Sequence, residues 1–122
     1  MKYAVLDTNF IISCIRKKID FFEQISLMGM KIIIPLQVMD EIRKFSMQGR
    51  GNLKQEAKFA LRLLEKNKFK RIDLYTNNVD NGLLKLAEKN ENYVIATLDR
   101  QIKNRTKNPN LVIRGEKSLE II

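Results

Sequence analysis

The sequence contains no histidine and only one cysteine in 122 residues. The absence of histidine excludes histidine acid/base chemistry, Ser-His-Asp and Cys-His nucleophilic arrangements, and histidine-rich zinc or iron sites. The single cysteine, Cys14, cannot form an intramolecular disulfide, and its apolar neighbours predict a small buried side chain rather than a reactive thiol. An enzyme of this composition has to use carboxylates, hydroxyls, amides, basic side chains and a bound ion.

Long apolar runs are also missing. No segment approaches the roughly 18 consecutive apolar residues that a membrane-spanning helix requires. The N-terminus lacks the charged-then-apolar profile of a signal peptide. We therefore expect a cytoplasmic protein that does not contact a membrane. Hydrophobic residues at 44% and charged residues at 30% predict a folded globular chain with one domain over residues 1–122.

Positive charge is what the chain has in excess. Lysine and arginine number 23 against 14 aspartates and glutamates, a formal net charge of +9. This surplus favours a polyanionic partner, nucleic acid first, because neutralising phosphates releases their counterions. Basic composition also occurs in thermophile and ribosome-associated proteins that catalyse nothing, so the charge by itself leaves the function open.

The order of apolar patterns predicts an α/β fold. Strand patterns occur at residues 2–6, 31–35, 71–75, in the run that precedes Asp99, and at 111–113. Helical patterns fill the intervals between them, including a short basic helix over residues 100–105. Strands that alternate with helices imply βαβ units, a parallel sheet and right-handed crossovers.

Four acidic residues lie at or near the predicted strand-to-helix junctions: Asp7, Glu41, Asp80 and Asp99. Ligands of an open parallel sheet gather outside the carboxyl ends of its strands, so these carboxylates can converge on one crevice. Each acid also has a simpler interpretation. The three aspartates can cap the helices that follow them, and an isolated helical glutamate is usually a surface residue. Asp40 and Glu41 lie about 100° apart around their helix, so only one of them can readily face the sheet.

Oxygen ligands without histidine or cysteine are the set that Mg²⁺ and Mn²⁺ prefer. Carboxylates packed together repel one another, so a cluster of four makes sense mainly around a cation. Such an ion can polarise a phosphoryl oxygen and lower the pKa of a bound water. On a basic protein this combination indicates hydrolysis of phosphodiester bonds.

Four short segments carry a pattern that extends over nearly the whole chain. They are, in order, Val5–Asn9, Val38–Ile42, Val79–Ala87 and Ala96–Arg100. Together they resemble the motifs of the PIN domain (PilT N-terminus) nuclease family. The resemblance implies a three-layer α/β/α sandwich with a central parallel five-stranded sheet in the order 3-2-1-4-5. It also implies a metal-dependent endoribonuclease that uses Mg²⁺ or Mn²⁺.

The resemblance also implies roles for individual residues. The catalytic and metal-binding acids would be Asp7, Glu41, Asp80 and Asp99. The supporting residues that orient them would be Thr8, Asn9 and Thr97. The residues expected to contact RNA are the basic side chains after the last acid and in the only glycine-rich loop, namely Arg100, Lys103, Arg105 and Arg50.

Two branches of the family compete. The basic run from Asp99 to Arg105, followed by Leu111–Arg114, resembles rRNA-processing PIN proteins more closely than VapC-type toxins. We therefore expect a nuclease of rRNA or other RNA processing. The alternatives are a VapC-type toxin ribonuclease with an antitoxin partner, and a catalytically silent RNA-binding module of a ribosome-assembly particle. RNA is the expected partner, and the family also suggests a homodimer.

Overall fold

The central sheet of the computed structural model, which describes residues 1–122, has six strands. They are β1 (Tyr3–Leu6), β2 (Lys31–Pro35), β3 (Lys70–Ile72), β4 (Tyr93–Ala96), β5 (Asn110–Arg114) and β6 (Ser118–Ile121). Their order across the sheet is β3-β2-β1-β4-β5-β6, and the first five pair in parallel. The predicted order 3-2-1-4-5 is confirmed.

The prediction of a wholly parallel five-stranded sheet is wrong at one edge. β6 pairs antiparallel with β5, with Ile113 opposite Leu119. The three residues between the two strands, 115–117, suffice for this connection, because antiparallel neighbours need only a tight turn whereas parallel neighbours need a long crossover. β6 therefore extends the sheet without another helix.

Six helices cover the sheet. They are α1 (Thr8–Arg16), α2 (Phe21–Leu27), α3 (Leu36–Gln48), α4 (Asn52–Glu65), α5 (Val79–Lys89) and α6 (Arg100–Arg105). Helices α1, α3 and α4 pack against one another, while α5 packs against β4 and α6. The chain reverses its direction across the sheet between β3 and β4, so right-handed crossovers place the later helices on the opposite face. The three-layer arrangement is confirmed, and no helix is both long and apolar enough to cross a membrane.

The strands at the centre of the sheet are buried on both faces. Ala4, Val5 and Leu6 of β1 have no exposed surface, as expected for a parallel strand covered by helices on each side. Cys14 is also fully buried, and burial raises the pKa of its thiol to about 12. The prediction of a buried cysteine is therefore confirmed.

The third strand is shorter than the sequence pattern predicts. It ends at Ile72, and residues 73–78 form a loop rather than the end of a strand. The Asp73 side chain explains the early end, because its Oδ1 accepts a hydrogen bond from the backbone N–H of Tyr75 at 2.8 Å. Such a local aspartate turn competes with the strand ladder for the backbone donors.

Candidate functional site

Asp7 lies where β1 ends and α1 begins, and it is almost completely buried. Its backbone N–H donates to the carbonyl of Ala96, the last residue of β4, at 2.9 Å. Its carboxylate caps α1, because Oδ1 accepts from the N–H of Thr8 at 2.8 Å. The other oxygen, Oδ2, accepts from the hydroxyl of Thr97 at 3.0 Å. The side chain is thus fixed between the carboxyl ends of the two central strands.

Thr97 joins the first acid to the last. It is fully buried, and its hydroxyl donates to Asp7 while accepting from the backbone N–H of Asp99 at 3.1 Å. Asp99 in turn caps α6, with its Oδ1 accepting from the N–H of Gln101 at 2.8 Å. One hydroxyl therefore sets the separation of two acids that are 92 positions apart in the sequence.

Glu41 reaches the same edge of the sheet from α3. Its Oε1 accepts a hydrogen bond from the hydroxyl of Thr8 at 2.5 Å, which ties α3 to the start of α1. The neighbouring Asp40 points away, since its side chain is 73% exposed and pairs with Arg43 at 3.2 Å. Of the two adjacent acids, Glu41 faces the site and Asp40 faces solvent.

Asp80 lies in the first turn of α5 but does not cap it. The cap is Asn78, whose Oδ1 accepts from the N–H of Asn81 at 3.1 Å. The interpretation of Asp80 as a helix cap is therefore wrong, because an amide two residues earlier takes that position. Asp80 is exposed, and its carboxylate makes no hydrogen bond within the chain. Capping explains Asp7 and Asp99 and leaves Glu41 and Asp80 unexplained.

The pKa values identify the four acids as electrostatic neighbours. The pKa of Asp7 is raised to about 6, first by burial and then by the charges of Asp80 and Glu41, against the lowering effect of its two hydrogen bonds. The pKa of Asp80 is also raised, by partial loss of solvent and by the charge of Asp99. The acids repel one another, as expected where a cation belongs between them.

The fit of this site to a metal ion rests on its donors. All four side chains offer oxygen, the ligand that Mg²⁺ and Mn²⁺ prefer. No three acidic side chains lie close enough together to enclose an ion without other ligands. Mg²⁺ does not require such a cage, since it usually keeps several waters and takes only one or two carboxylates. The residues present therefore fit a hydrated divalent cation.

The other predicted site residues differ in where they lie. Thr8 and Thr97 contact the acids directly, whereas Asn9 is exposed and lines a cleft with Asp99. Arg100 is exposed next to Asp99 at the start of α6, and Lys103 is half-buried in the following turn.

The remaining two predicted RNA contacts form no salt bridge with any of the four acids. Arg105 lies about 8 Å further along α6 than Arg100 and lines a groove with Glu88 and Glu91. Arg50 is exposed in the turn between α3 and α4 and has no polar side-chain contact. The acidic neighbours of Arg105 weaken the case for a phosphate contact there.

Arg16 is a basic residue at the site that the sequence did not single out. It lines the same cleft as Asn9, Ser13 and Asp99. Glu56 of α4 holds its guanidinium with two hydrogen bonds, at 2.8 and 2.9 Å. The available signal was the spacing of Asn9, Ser13 and Arg16, which places three polar side chains on one stripe of α1.

The sequence profile of the PIN like domain family matches residues 4–114. This span contains the four acids of the site and the two threonines that contact them, Thr8 and Thr97. The chain therefore belongs to the PIN-domain family. It is 33% identical to Ribonuclease VapC4 of Methanocaldococcus jannaschii, with 99% of this chain and 97% of the relative aligned. It is 32% identical to Ribonuclease VapC9 of Archaeoglobus fulgidus, over 88% of this chain and 77% of the relative.

Solved structures show the same fold. The PIN domain endonuclease Utp24 aligns with a TM-score of 0.77 at 25% identity, covering 98% of this chain and 90% of that chain. VapBC2 from Rickettsia felis, solved bound to a DNA fragment from its promoter, aligns with a TM-score of 0.55 at 18% identity. That second alignment covers 84% of this chain and 92% of the other, and it is a likeness of fold alone.

Proposed function

We propose that this protein is a divalent-cation-dependent endoribonuclease that hydrolyses RNA phosphodiester bonds. The observation that supports the proposal is the electrostatic coupling of acids from four separate segments, in which Asp80 and Glu41 raise the pKa of Asp7 and Asp99 raises that of Asp80. RNA as the substrate is supported by the net charge of +9 and by two relatives that are named ribonucleases.

Asp7, Glu41, Asp80 and Asp99 would together hold a hydrated Mg²⁺ or Mn²⁺. When bound, the ion supplies electrostatic stabilisation of the phosphoryl group and makes water a better nucleophile. The protein's own contribution is to keep the acids in position before the substrate arrives. The hydroxyl of Thr8 fixes the carboxylate of Glu41, which reduces the reorganisation needed at this acid.

Basic side chains beside the acids would bind the RNA backbone. Arg100 is exposed next to Asp99, and Lys103 follows on the same helix. Arg16 lines the adjoining cleft, already oriented by Glu56. Contacts of this kind bind phosphates and set register without reading sequence, so the proposal includes no sequence preference.

A cleavage assay tests the proposal. Wild-type protein and Asp99→Asn are incubated with total and ribosomal RNA in Mg²⁺, in Mn²⁺ and in EDTA, and the ends of any fragments are mapped. The proposal predicts cleavage by the wild type in at least one metal, and none in EDTA or with the variant. Cleavage that persists in EDTA would contradict the metal, and cleavage by Asp99→Asn at the wild-type rate would contradict the site.

For the biological role we infer rRNA or other RNA processing, on the basic run that follows Asp99. Discrete fragment ends at one position in ribosomal RNA would support this role. A catalytically silent ribosome-assembly module is the reading to adopt if RNA binds equally well with and without EDTA and no condition gives cleavage.

A toxin ribonuclease is the second candidate, and a specific observation favours it. Both curated relatives carry the VapC name. An apolar groove between α1 and α4 also leaves Phe59 56% exposed, which is a surface that an antitoxin could cover. Growth arrest on expression, relieved by the product of a neighbouring gene, would select the toxin over the processing enzyme.

A further inference from the structure

Tyr75 is the most exposed of the large apolar side chains, with 90% of its surface in solvent. The other two tyrosines, Tyr3 and Tyr93, pack edge to face in the structure with ring centroids 5.9 Å apart. Tyr75 has no such partner, and it lies only five residues before Asp80 at the carboxyl end of the sheet. The ring is therefore displayed to solvent on the loop that leads to Asp80, rather than used in the core.

We propose that Tyr75 is a stacking platform for an unpaired RNA base, on the loop that leads from β3 to Asp80, and this inference rests on the proposed function. Aromatic rings bind single-stranded nucleic acid in this way because every base has a face on which to stack. Tyrosine suits the task, because an exposed ring with a polar tip tolerates solvent when no RNA is bound.

The backbone at Tyr75 is held in an uncommon conformation. Its φ is +56°, in the left-handed region that bulky side chains rarely adopt. The N–H of Tyr75 and the side-chain amide of Gln37 both donate to Oδ1 of Asp73, each at 2.8 Å. Gln37 also accepts from the N–H of Leu74 at 3.1 Å. Three hydrogen bonds thus hold the backbone of the loop that carries the ring.

Two of these hydrogen bonds tie the loop to α3, the helix that carries Glu41. Gln37 lies one turn before Glu41 on α3, so the two side chains share one face of the helix. A cleft of about 200 Å³ lies between this helix and the loop, lined by Gln37, the largely exposed Asp40, Glu41, Lys44, Asn77 and Val79. The loop that carries Tyr75 and the carboxylate of Glu41 are therefore both positioned by α3.

Helix α5 supports the loop from its other side. A Cβ added at Gly82 would come within 2.9 Å of Leu74 Cβ and 3.0 Å of Thr76 Cγ2, so only glycine permits this close approach. Lys85 and Lys89, further along the same helix, line a groove together with Tyr75. A ring flanked by lysines matches a polyanion with exposed bases better than an apolar protein surface.

The test is RNA binding in EDTA, where cleavage does not interfere. Fluorescence anisotropy measures the affinity for a labelled single-stranded RNA octamer and for an abasic ribose-phosphate strand of the same length. The proteins are the wild type, Tyr75→Ala, Tyr75→Phe and the control Phe59→Ala, which removes an exposed ring on α4. Circular dichroism confirms that each variant folds.

Tyr75→Ala is expected to weaken binding of the octamer by roughly 5- to 100-fold, the range seen for loss of one stacked base. Tyr75→Phe keeps the ring and should bind within about twofold of the wild type. The abasic strand should not distinguish the proteins, and Phe59→Ala should match the wild type.

Three results would overturn the inference: unchanged octamer binding by Tyr75→Ala, an equal loss with Tyr75→Phe, or an equal loss with the abasic strand. A wild type that binds neither strand would also overturn it. The proposed function alone fails if the wild type cleaves no RNA in any metal while Tyr75→Ala still weakens binding of the octamer. The inference about Tyr75 alone fails if the wild type cleaves RNA while Tyr75→Ala binds the octamer as the wild type does.

Discussion

The four acids form two pairs that the protein treats differently. The inner acids, Asp7 and Glu41, each accept a hydrogen bond from a threonine hydroxyl, and Asp7 is nearly buried. Of the outer acids, Asp80 is exposed and has no hydrogen-bond partner, whereas Asp99 is half-buried at the start of α6. The inner acids are thus fixed before any ligand arrives, and Asp80 is the one that can move to meet it.

The burial of Asp7 among other acids costs free energy. A buried carboxylate next to two others is unfavourable in its charged form, as the raised pKa of Asp7 shows. An acid kept for stability would not be placed in this way, because an amide caps a helix about as well. The buried carboxylate of Asp7 therefore lowers the stability of the metal-free protein, which is typical of functional sites.

The largest expected effect is on cleavage. Asp7→Asn and Asp80→Asn should each lower the rate at least about 100-fold, because the metal's contribution amounts to several kcal/mol. Initial rates on one RNA substrate under saturating Mg²⁺ or Mn²⁺ measure this. Equal losses would show that fixed and mobile acids are both required. A near-normal rate for Asp80→Asn would reduce the site to its other three members.

The second largest expected effect is on stability, and it distinguishes the buried inner acid Asp7 from the outer acids. The pKa of Asp7 is about 6 in the folded protein, against a reference value of 3.8. Between these two pH values the folded state therefore keeps Asp7 protonated while the unfolded state releases that proton. The free energy of unfolding should therefore fall as pH rises through this window, by up to about 3 kcal/mol from this one group. Urea unfolding of the metal-free protein at pH 4.5 and 7.5 measures it.

The matched control for that experiment is Asp7→Asn, which lacks the titrating group. The variant should be more stable than the wild type at pH 7.5, and the difference should shrink towards pH 4.5. A variant that is less stable at pH 7.5 would show that the carboxylate stabilises α1 as a cap by more than its burial costs.

A smaller effect is expected at Thr97, whose hydroxyl links Asp7 of the inner pair to Asp99 of the outer pair. Thr97→Val removes the donor to Asp7 and the acceptor for the N–H of Asp99 while keeping the shape. We expect a loss of about 1–3 kcal/mol in the free energy of unfolding, since buried polar groups are left unpaired. Thr97→Ser keeps the hydroxyl and should lose less, and thermal or urea unfolding compares the two. Equal losses would assign the effect to packing.

The smallest effect is stabilisation by the ion. Mg²⁺ or Mn²⁺ at ten times its dissociation constant should stabilise the wild type by about 1.4 kcal/mol, because the ion binds the folded state alone. Asp7→Asn and Asp80→Asn should show less, and Asp40→Asn should behave as the wild type. Thermal unfolding with Ca²⁺-free buffers and each metal in turn provides the measurement. Equal stabilisation of all four proteins would place the ion elsewhere.

Local patterns were enough to predict much of the fold. Continuous apolar runs such as Lys31–Pro35 identify buried parallel strands, and each ends close to an acid or a helix start. β6 was not predicted, because Leu119 is the only buried residue of Ser118–Ile121 and one buried position is too weak a pattern to indicate a strand. The early end of β3 depends on the side chain of Asp73, a local hydrogen bond that periodicity does not record.

The site was harder to predict than the fold. The choice of Glu41 over Asp40 and the cap at Asn78 depend on side-chain direction, which sequence spacing only narrows. The pairing of Arg16 with Glu56 joins residues 40 positions apart, and nothing local predicts it. Tyr75 looks like a strand residue in the sequence, and only its exposure and its positive φ single it out.

One comparison tests the central claim most directly. Glu41→Gln and Asp40→Asn neutralise adjacent acids on the same helix, one facing the site and one facing solvent. Cleavage of one RNA substrate is measured with both variants and the wild type at equal metal concentration. The four-acid site predicts a loss of at least about 100-fold for Glu41→Gln and a rate within twofold of the wild type for Asp40→Asn. Equal rates for the two variants would contradict it.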